Sequence, residues 1–168
     1  MEEPEDPLIA NLRRLATAVH AAILLMNPDE SLEKLKSFPK ESCNLACGLL
    51  RGYLFQNGYS EILLMSGDRP DGLEQPLAGH LWIRVHEVDI DITLYQFDES
   101  LPEVIVQKNS PYHAELNPRV LRADSADTLA KCISRIRSRY NDWFNGLFDD
   151  VVFWADEILK KLDSADLN

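Results

Sequence analysis

The stretch Gly79-His80-Leu81-Trp82-Ile83-Arg84-Val85-His86-Glu87-Val88-Asp89-Ile90-Asp91-Ile92-Thr93-Leu94 decides how the chain is read. Its apolar residues recur at a spacing of two, the pattern of half-buried strands. His80 to Val85 and Val88 to Leu94 are therefore two strands, close enough for a hairpin turning at His86-Glu87. In that register Trp82 lies opposite Asp91 and His80 opposite Thr93, which makes Asp91 the diagonal neighbour of His80, within side-chain reach. The pair His86-Glu87 is not a favoured turn sequence, since two-residue hairpins prefer Asn-Gly or Asp-Gly. Ile90 and Ile92 form one face of the second strand. Asp89 and Asp91 load the other, with Asp89 the reserve partner for His80.

Working upstream, Ser42 is a good N-cap for a helix whose apolar stripe is Ala46, Leu49, Leu50, Tyr53 and Leu54. Asn57-Gly58 supplies its C-terminal stop. Cys43 takes the first helical position, where backbone N–H groups lack helical partners and the helix dipole places partial positive charge. That setting favours the thiolate, the reactive form of cysteine, and offers donors to a developing oxyanion. A lone cysteine is more often a small buried hydrophobe. The order helix-start Cys43, strand His80, next-strand Asp91 selects the reactive reading, with Asp91 orienting the imidazole.

The rest of the chain frames this segment. Pro7 to Met26 reads as an amphipathic helix through Leu8, Leu12, Leu15, Val19, Ala22 and Ile23, stopped by Pro28. Asp29 to Lys36 reads as a short second helix, and Phe38-Pro39 as an extended approach to Ser42. Glu61 to Met65 is a strand, Ser66 to Gly79 a loop, Glu103 to Gln107 a further strand and Asn109 to Pro118 irregular. Ala126 to Phe148 and Val151 to Leu162 read as helices with Gly146 near their junction. The fold class expected is α+β in one domain, residues 1–168. It has an N-terminal helical part (1–37), a core (38–118) and C-terminal helices (119–168).

Composition limits the partners. Seventeen basic against 28 acidic residues give a formal net charge of -11, the opposite of a nucleic-acid footprint and unsuited to an anionic membrane surface. The longest apolar stretch, Leu15 to Met26, is interrupted by His20 and falls short of the roughly 20 residues a membrane span needs. Three cysteines cannot pair completely, so a reducing cytoplasm is the expected compartment; signal-independent secretion would leave no trace in the sequence.

The run Phe38-Pro39-Lys40-Glu41-Ser42-Cys43, with Leu50 to Gly58 completing its helix, is followed by Gly79-His80-Leu81-Trp82 and by Asp91-Ile92-Thr93-Leu94-Tyr95-Gln96-Phe97. Together they resemble a group of small bacterial proteins in the papain-like and transglutaminase-like thiol superfamily. The likeness runs from about Phe38 to His113, under half of the chain. It implies a nucleophile-bearing helix packed on a small antiparallel sheet with flanking helices. It also implies acyl-enzyme chemistry on an amide or ester of a protein or peptide: a cysteine peptidase, a deamidase or a transglutaminase-like acyltransferase. Cys43 would be the nucleophile, His80 the general base and Asp91 the orienting residue, with no metal and no cofactor. The fuller papain signature is absent, and Met1 to Ser42 contain no glutamine for the usual upstream oxyanion donor. The alternative is a non-catalytic protein-binding module that retains the fold.

Trp82 and His113 are the candidate substrate-binding residues, Trp82 beside the imidazole and His113 in a loop lining the cleft. Cys47, one helical turn after Cys43, reads as core packing. A zinc site from Cys43, Cys47, His80 and His86 fails because His86 falls in the turn, away from His80. His20 and Cys132 read as structural, and Trp143, Phe144, Phe148, Phe153 and Trp154 as a core cluster. Two substitutions follow from the hairpin: Asp91→Asn should harm catalysis far more than folding, and Asp89→Asn should behave as a surface change.

Overall fold

The computed structural model describes residues 4–26, 35, 37–72, 79–124 and 141–165. In chain order these form α1 (Pro7–Met26), α2 (Cys43–Gln56), β1 (Ile62–Gly67), β2 (His80–Val85), β3 (Val88–Asp91), a 3-10 turn (Leu94–Gln96), β4 (Ile105–Lys108), the short α3 (Pro111–Ala114), β5 (Arg119–Asp124) and α4 (Asn141–Ala165). The architecture is α+β: one five-stranded antiparallel sheet in the order β4-β3-β2-β1-β5, with helices against it.

The helix starts follow local chemistry. Asp6 accepts the Leu8 N–H on its side chain at 2.9 Å, and Pro7 occupies the first helical position, where a missing N–H costs nothing. By length and composition α1 is apolar enough to cross a membrane. In this fold its Leu12, Leu15, Ala16, Val19 and Ile23 are buried, and the helix packs on α4, β3 and β4. At the far end of α2 the Asn57 side chain and N–H both return to the Tyr53 carbonyl, and Gly58 takes a left-handed φ of 92°, the stop that Asn-Gly encodes.

Helices and sheet share the main core. Leu49, Leu50 and Leu54 of α2 meet Ile62, Ile83, Val85 and Ile90 of the sheet, with Val151 and Ala155 of α4. The sheet's other face carries a second apolar cluster of Met65, Trp82, Leu94, Ile105 and Leu116, roofed in part by Phe97 and Leu101. The hairpin register is the one read from the sequence: Ile83 pairs with Ile90, Arg84 with Asp89 and Val85 with Val88. His86 and Glu87 form the turn with φ values of 45° and 64°. Neither residue favours that conformation, so the buried pairs flanking the turn set the register and the turn accommodates it. Gly79 permits the approach to β2, because a Cβ there would sit 1.9 Å from the Gly67 carbonyl oxygen.

Several expectations need correcting. Arg119–Asp124, assigned to the C-terminal helical part, is a strand on the sheet edge beside β1, with a bulge between Leu64 and Met65. It alternates weakly and is largely exposed, so periodicity does not reveal it. The last helix runs unbroken from Asn141 to Ala165; Gly146 lowers helix propensity without ending the helix. The second hairpin strand stops at Asp91 rather than Leu94, because Asp91 draws the following backbone into a 3-10 turn. Pro111–Ala114 is a short helix within the segment read as irregular. The approach to Ser42 is a series of turns over residues 37–41 with a cis Phe38-Pro39 peptide, not an extended segment. Phe148 is buried, but Phe153 and Trp154 are exposed and meet edge-on. Most of Asp29 to Lys36, the first part of the helix expected from Ala126, Cys132, and the side chains of Trp143 and Phe144 lie outside what is described.

Candidate functional site

His80 opens β2 and Asp91 closes β3, so antiparallel pairing brings both to the same end of the sheet. His80 Nε2 lies 2.5 Å from Asp91 Oδ2, with both side chains buried. The diagonal contact expected from the hairpin is made. The second carboxylate oxygen, Oδ1, accepts from the Thr93 N–H at 2.8 Å, the Thr93 hydroxyl at 3.1 Å and the Leu94 N–H at 3.0 Å. This is why Asp-x-Thr stands here: the side chain caps the 3-10 turn that ends the strand, and the same bonds fix the carboxylate beside the imidazole.

Burial alone would raise the Asp91 pKa. The charge of His80, with hydrogen bonds from His113 and His80, outweighs it and holds the carboxyl well below its usual range. For His80, burial would favour the neutral ring. The charge and hydrogen bond of Asp91, and lesser interactions with Cys43, reverse that and raise its pKa to about 9. The two shifts run in opposite directions, and both favour the imidazolium–carboxylate form of the buried pair.

Cys43 begins α2 and is half-buried, beside far less accessible partners. The Ser42 hydroxyl does not cap the helix; it donates to the Pro39 carbonyl at 2.8 Å. This corrects the N-cap expectation and leaves the first-turn N–H groups uncapped by that side chain. Cys43 lies close enough to His80 to raise its pKa. Yet the buried His80 Nδ1 has no aligned hydrogen-bond partner. Cys43 and His80 are therefore near each other, with no aligned hydrogen bond between them. Cys47 is fully buried, and burial raises its thiol pKa well above the ordinary value.

The remaining candidates take other places. Trp82 is 0% exposed. Its ring stacks at 17° to His80, 6.0 Å between centroids, and its indole N–H donates to Asp89 Oδ1 at 2.8 Å. It packs the site and presents no surface to a substrate. Asp89 is no surface residue either: it is 1% exposed and also accepts from Arg84 Nε at 2.8 Å. Its charge is spent on Trp82 and Arg84, so it is not a reserve partner for His80. His113, expected to line a cleft, is 0% exposed. Its Nε2 lies 3.0 Å from Asp91 Oδ2 and its Nδ1 2.8 Å from Ser110 Oγ, because the turn into α3 folds the ring beneath Trp82, 4.6 Å between centroids.

Sequence reading missed two residues at the rim. Gln96 accepts the Glu41 N–H at 3.1 Å and donates to the Thr93 carbonyl at 3.0 Å, tying the turn before Cys43 to the turn after Asp91. Glu41 itself sits at φ 56°. Arg69 lies over the Phe97 ring, 5.3 Å from its centroid, and Phe97 meets His80 edge-on at 5.4 Å. The Arg69 pKa is raised, chiefly by its hydrogen bond to Asp71 and in small part by Cys43. Gln96 is visible in the motif Leu94-Tyr95-Gln96-Phe97, but nothing in the sequence says that its amide reaches Glu41.

Donor atoms of His80, Asp91 and His113 all lie within 4.8 Å of one another, a spacing that a metal ion could use. The three already bond to one another, Asp91 Oδ2 sitting between two ring nitrogens, while His113 Nδ1 faces Ser110. No family model, no curated protein and no solved structure matches the chain.

Proposed function

We propose that this protein is a thiol-dependent enzyme forming an acyl-enzyme at Cys43, in a variant of the papain-like and transglutaminase-like arrangement. One observation carries the reading. A buried imidazole, held by Asp91 through Nε2, keeps an unpartnered Nδ1 near a half-buried thiol at a helix start. A thiolate on Cys43 would satisfy that N–H and pair with the ring's charge.

The Cys43 sulfur attacks the carbonyl carbon of an amide or ester, forming the C–S bond. The oxygen takes the negative charge and faces the uncapped N–H groups of the first turn. As the C–N or C–O bond breaks, His80 delivers its Nδ1 proton to the departing amine or alcohol. His80, now neutral, accepts a proton from water or an incoming amine, which attacks the thioester and releases Cys43. Hydrolysis, deamidation and acyl transfer share these steps. The substrate class is an amide or ester on a protein or peptide, and a reducing cytoplasm suits the free thiol.

An activated acetyl ester tests this without knowledge of the natural substrate. Wild-type protein should gain a transient acetyl group on Cys43, seen by peptide mass spectrometry, and lose it again in buffer. His80→Asn should acylate at least about a hundredfold more slowly, the low end of a positioned base's contribution. Acetylation spread over lysines, with Cys43 unmodified, would refute the proposal and favour a non-catalytic binding module.

A further inference from the structure

Asp91 Oδ2 receives two histidines, and the mechanism above uses one of them. The second, His113, cannot exchange protons with a substrate: it is fully buried and both ring nitrogens are occupied. Facing the acceptor-only Asp91 carboxylate, Nε2 carries a hydrogen, and Nδ1 pairs with the Ser110 hydroxyl, itself 2% exposed.

We propose that His113, with Ser110 behind it, is a positioning residue that acts through Asp91. This rests on the reading of Cys43 and His80 as the reacting pair. The geometry gives the reason. Oδ1 takes its three bonds from Thr93 and Leu94, whereas Oδ2, the oxygen that meets His80, takes its other bond from His113 Nε2. His113 thus braces the carboxylate directly at the oxygen that holds His80, against the sideways pull of that single short contact. Trp82 packs against both imidazole rings and keeps water from replacing either bond. A carboxylate held from both sides fixes which nitrogen of His80 turns toward Cys43. Among the described residues, the charged and titratable neighbours of the His80 ring are Asp91 on β3, His113 on α3, Cys43 on α2 and, beyond Phe97, Arg69.

The test is the pH dependence of Cys43 alkylation by iodoacetamide, followed by peptide mass spectrometry. It uses His113→Leu, His113→Gln, Ser110→Ala, Asp91→Asn and His80→Asn, each checked for folding by thermal unfolding. Removing the ring in His113→Leu should slow labelling at pH 6 by about tenfold, the scale of one hydrogen bond to a charged group, and move the acid limb upward. His113→Gln, whose amide can donate to Oδ2, should restore most of the rate. Ser110→Ala should move the profile the same way by less. In an Asp91→Asn background, His113→Leu should add nothing, because the effect runs through that carboxylate.

A folded His113→Leu protein with a wild-type profile, while His80→Asn shifts it, would overturn this proposal and leave the Cys43–His80 reading intact. If His113→Leu does not fold, a Ser110→Ala protein whose profile matches the wild type overturns it equally. Should His80→Asn itself leave the profile unchanged, both proposals fall.

Discussion

His20 and His80 are both buried, at 3% and 1% exposure, and they titrate in opposite directions. His20 of α1 sits between the rings of Phe38 and Tyr95, with Nε2 3.1 Å from the Tyr95 hydroxyl. Burial lowers its pKa, and the more distant Glu103 offsets this only in part. His80 has a carboxylate at 2.5 Å and its pKa rises. Burial penalises the charged ring in both places; what differs is one aspartate within hydrogen-bond distance. A structural histidine and a candidate catalytic one are thus separated by a single partner, which itself needs five hydrogen bonds to stay ionised indoors.

The largest effect should come from removing that partner. Asp91→Asn leaves one oxygen and one NH2 to meet donors on both sides, so whichever way the amide turns, one side loses its acceptor. Folding should lose about 3 kcal/mol, the lower end for breaking a buried ion pair, measured by urea unfolding at pH 7. This revises the expectation that folding would hardly change, which treated Asp91 as making one bond. A loss below about 1 kcal/mol would mean the pair is not ionised in the folded state.

Next in size is the pH dependence of stability. The folded pKa of His80 is raised to about 9 from 6.5. Its stabilisation is complete below 6.5 and disappears as the pH rises through about 9. Wild-type stability should therefore fall between those values, and Asp91→Asn should flatten that slope.

Asp89→Asn follows, at roughly 1–2 kcal/mol for weakened hydrogen bonds to Trp82 and Arg84. It should leave the pH profile of Cys43 labelling in place. A shifted profile would mean that the two aspartates are not separate in function. The smallest effect belongs to His20. Its depressed pKa means that the unfolded chain binds the proton first, so stability falls as the pH drops below 6.5. His20→Asn should remove that part of the acid dependence while costing about 1 kcal/mol at pH 7 for the altered Tyr95 contact.

What could be read beforehand follows from where the information lies. The hairpin and its register are local: strand alternation and buried pairs determine them, even against poor turn residues. The contact of His80 with Asp91 follows from that register alone. The place of Asp89 was also available, since Arg84 stands opposite it once the turn is fixed, but a burial that depends on Trp82 reaching across is not a matter of period. His113 is different in kind. It meets Asp91 from 22 residues away in sequence, through a loop whose short helix carries too few residues for a pattern. β5 escaped for the same reason that it is a sheet edge: an exposed strand needs no apolar alternation. Ser42 shows the opposite error, a good capping residue whose hydroxyl the cis-proline turn before it engages instead.

The central claim is that His80 is a buried imidazolium at neutral pH while His20 is not. An NMR titration of ring nitrogens in uniformly 15N-labelled protein, assigned with His20→Asn and His80→Asn, measures both in one experiment. His80 should keep both ring hydrogens through neutral pH and lose one with a midpoint near 9, whereas His20 should stay neutral until below 6.5. A His80 midpoint at or below 6.5 would contradict it, because a neutral ring could not pair with Asp91 and a Cys43 thiolate at once.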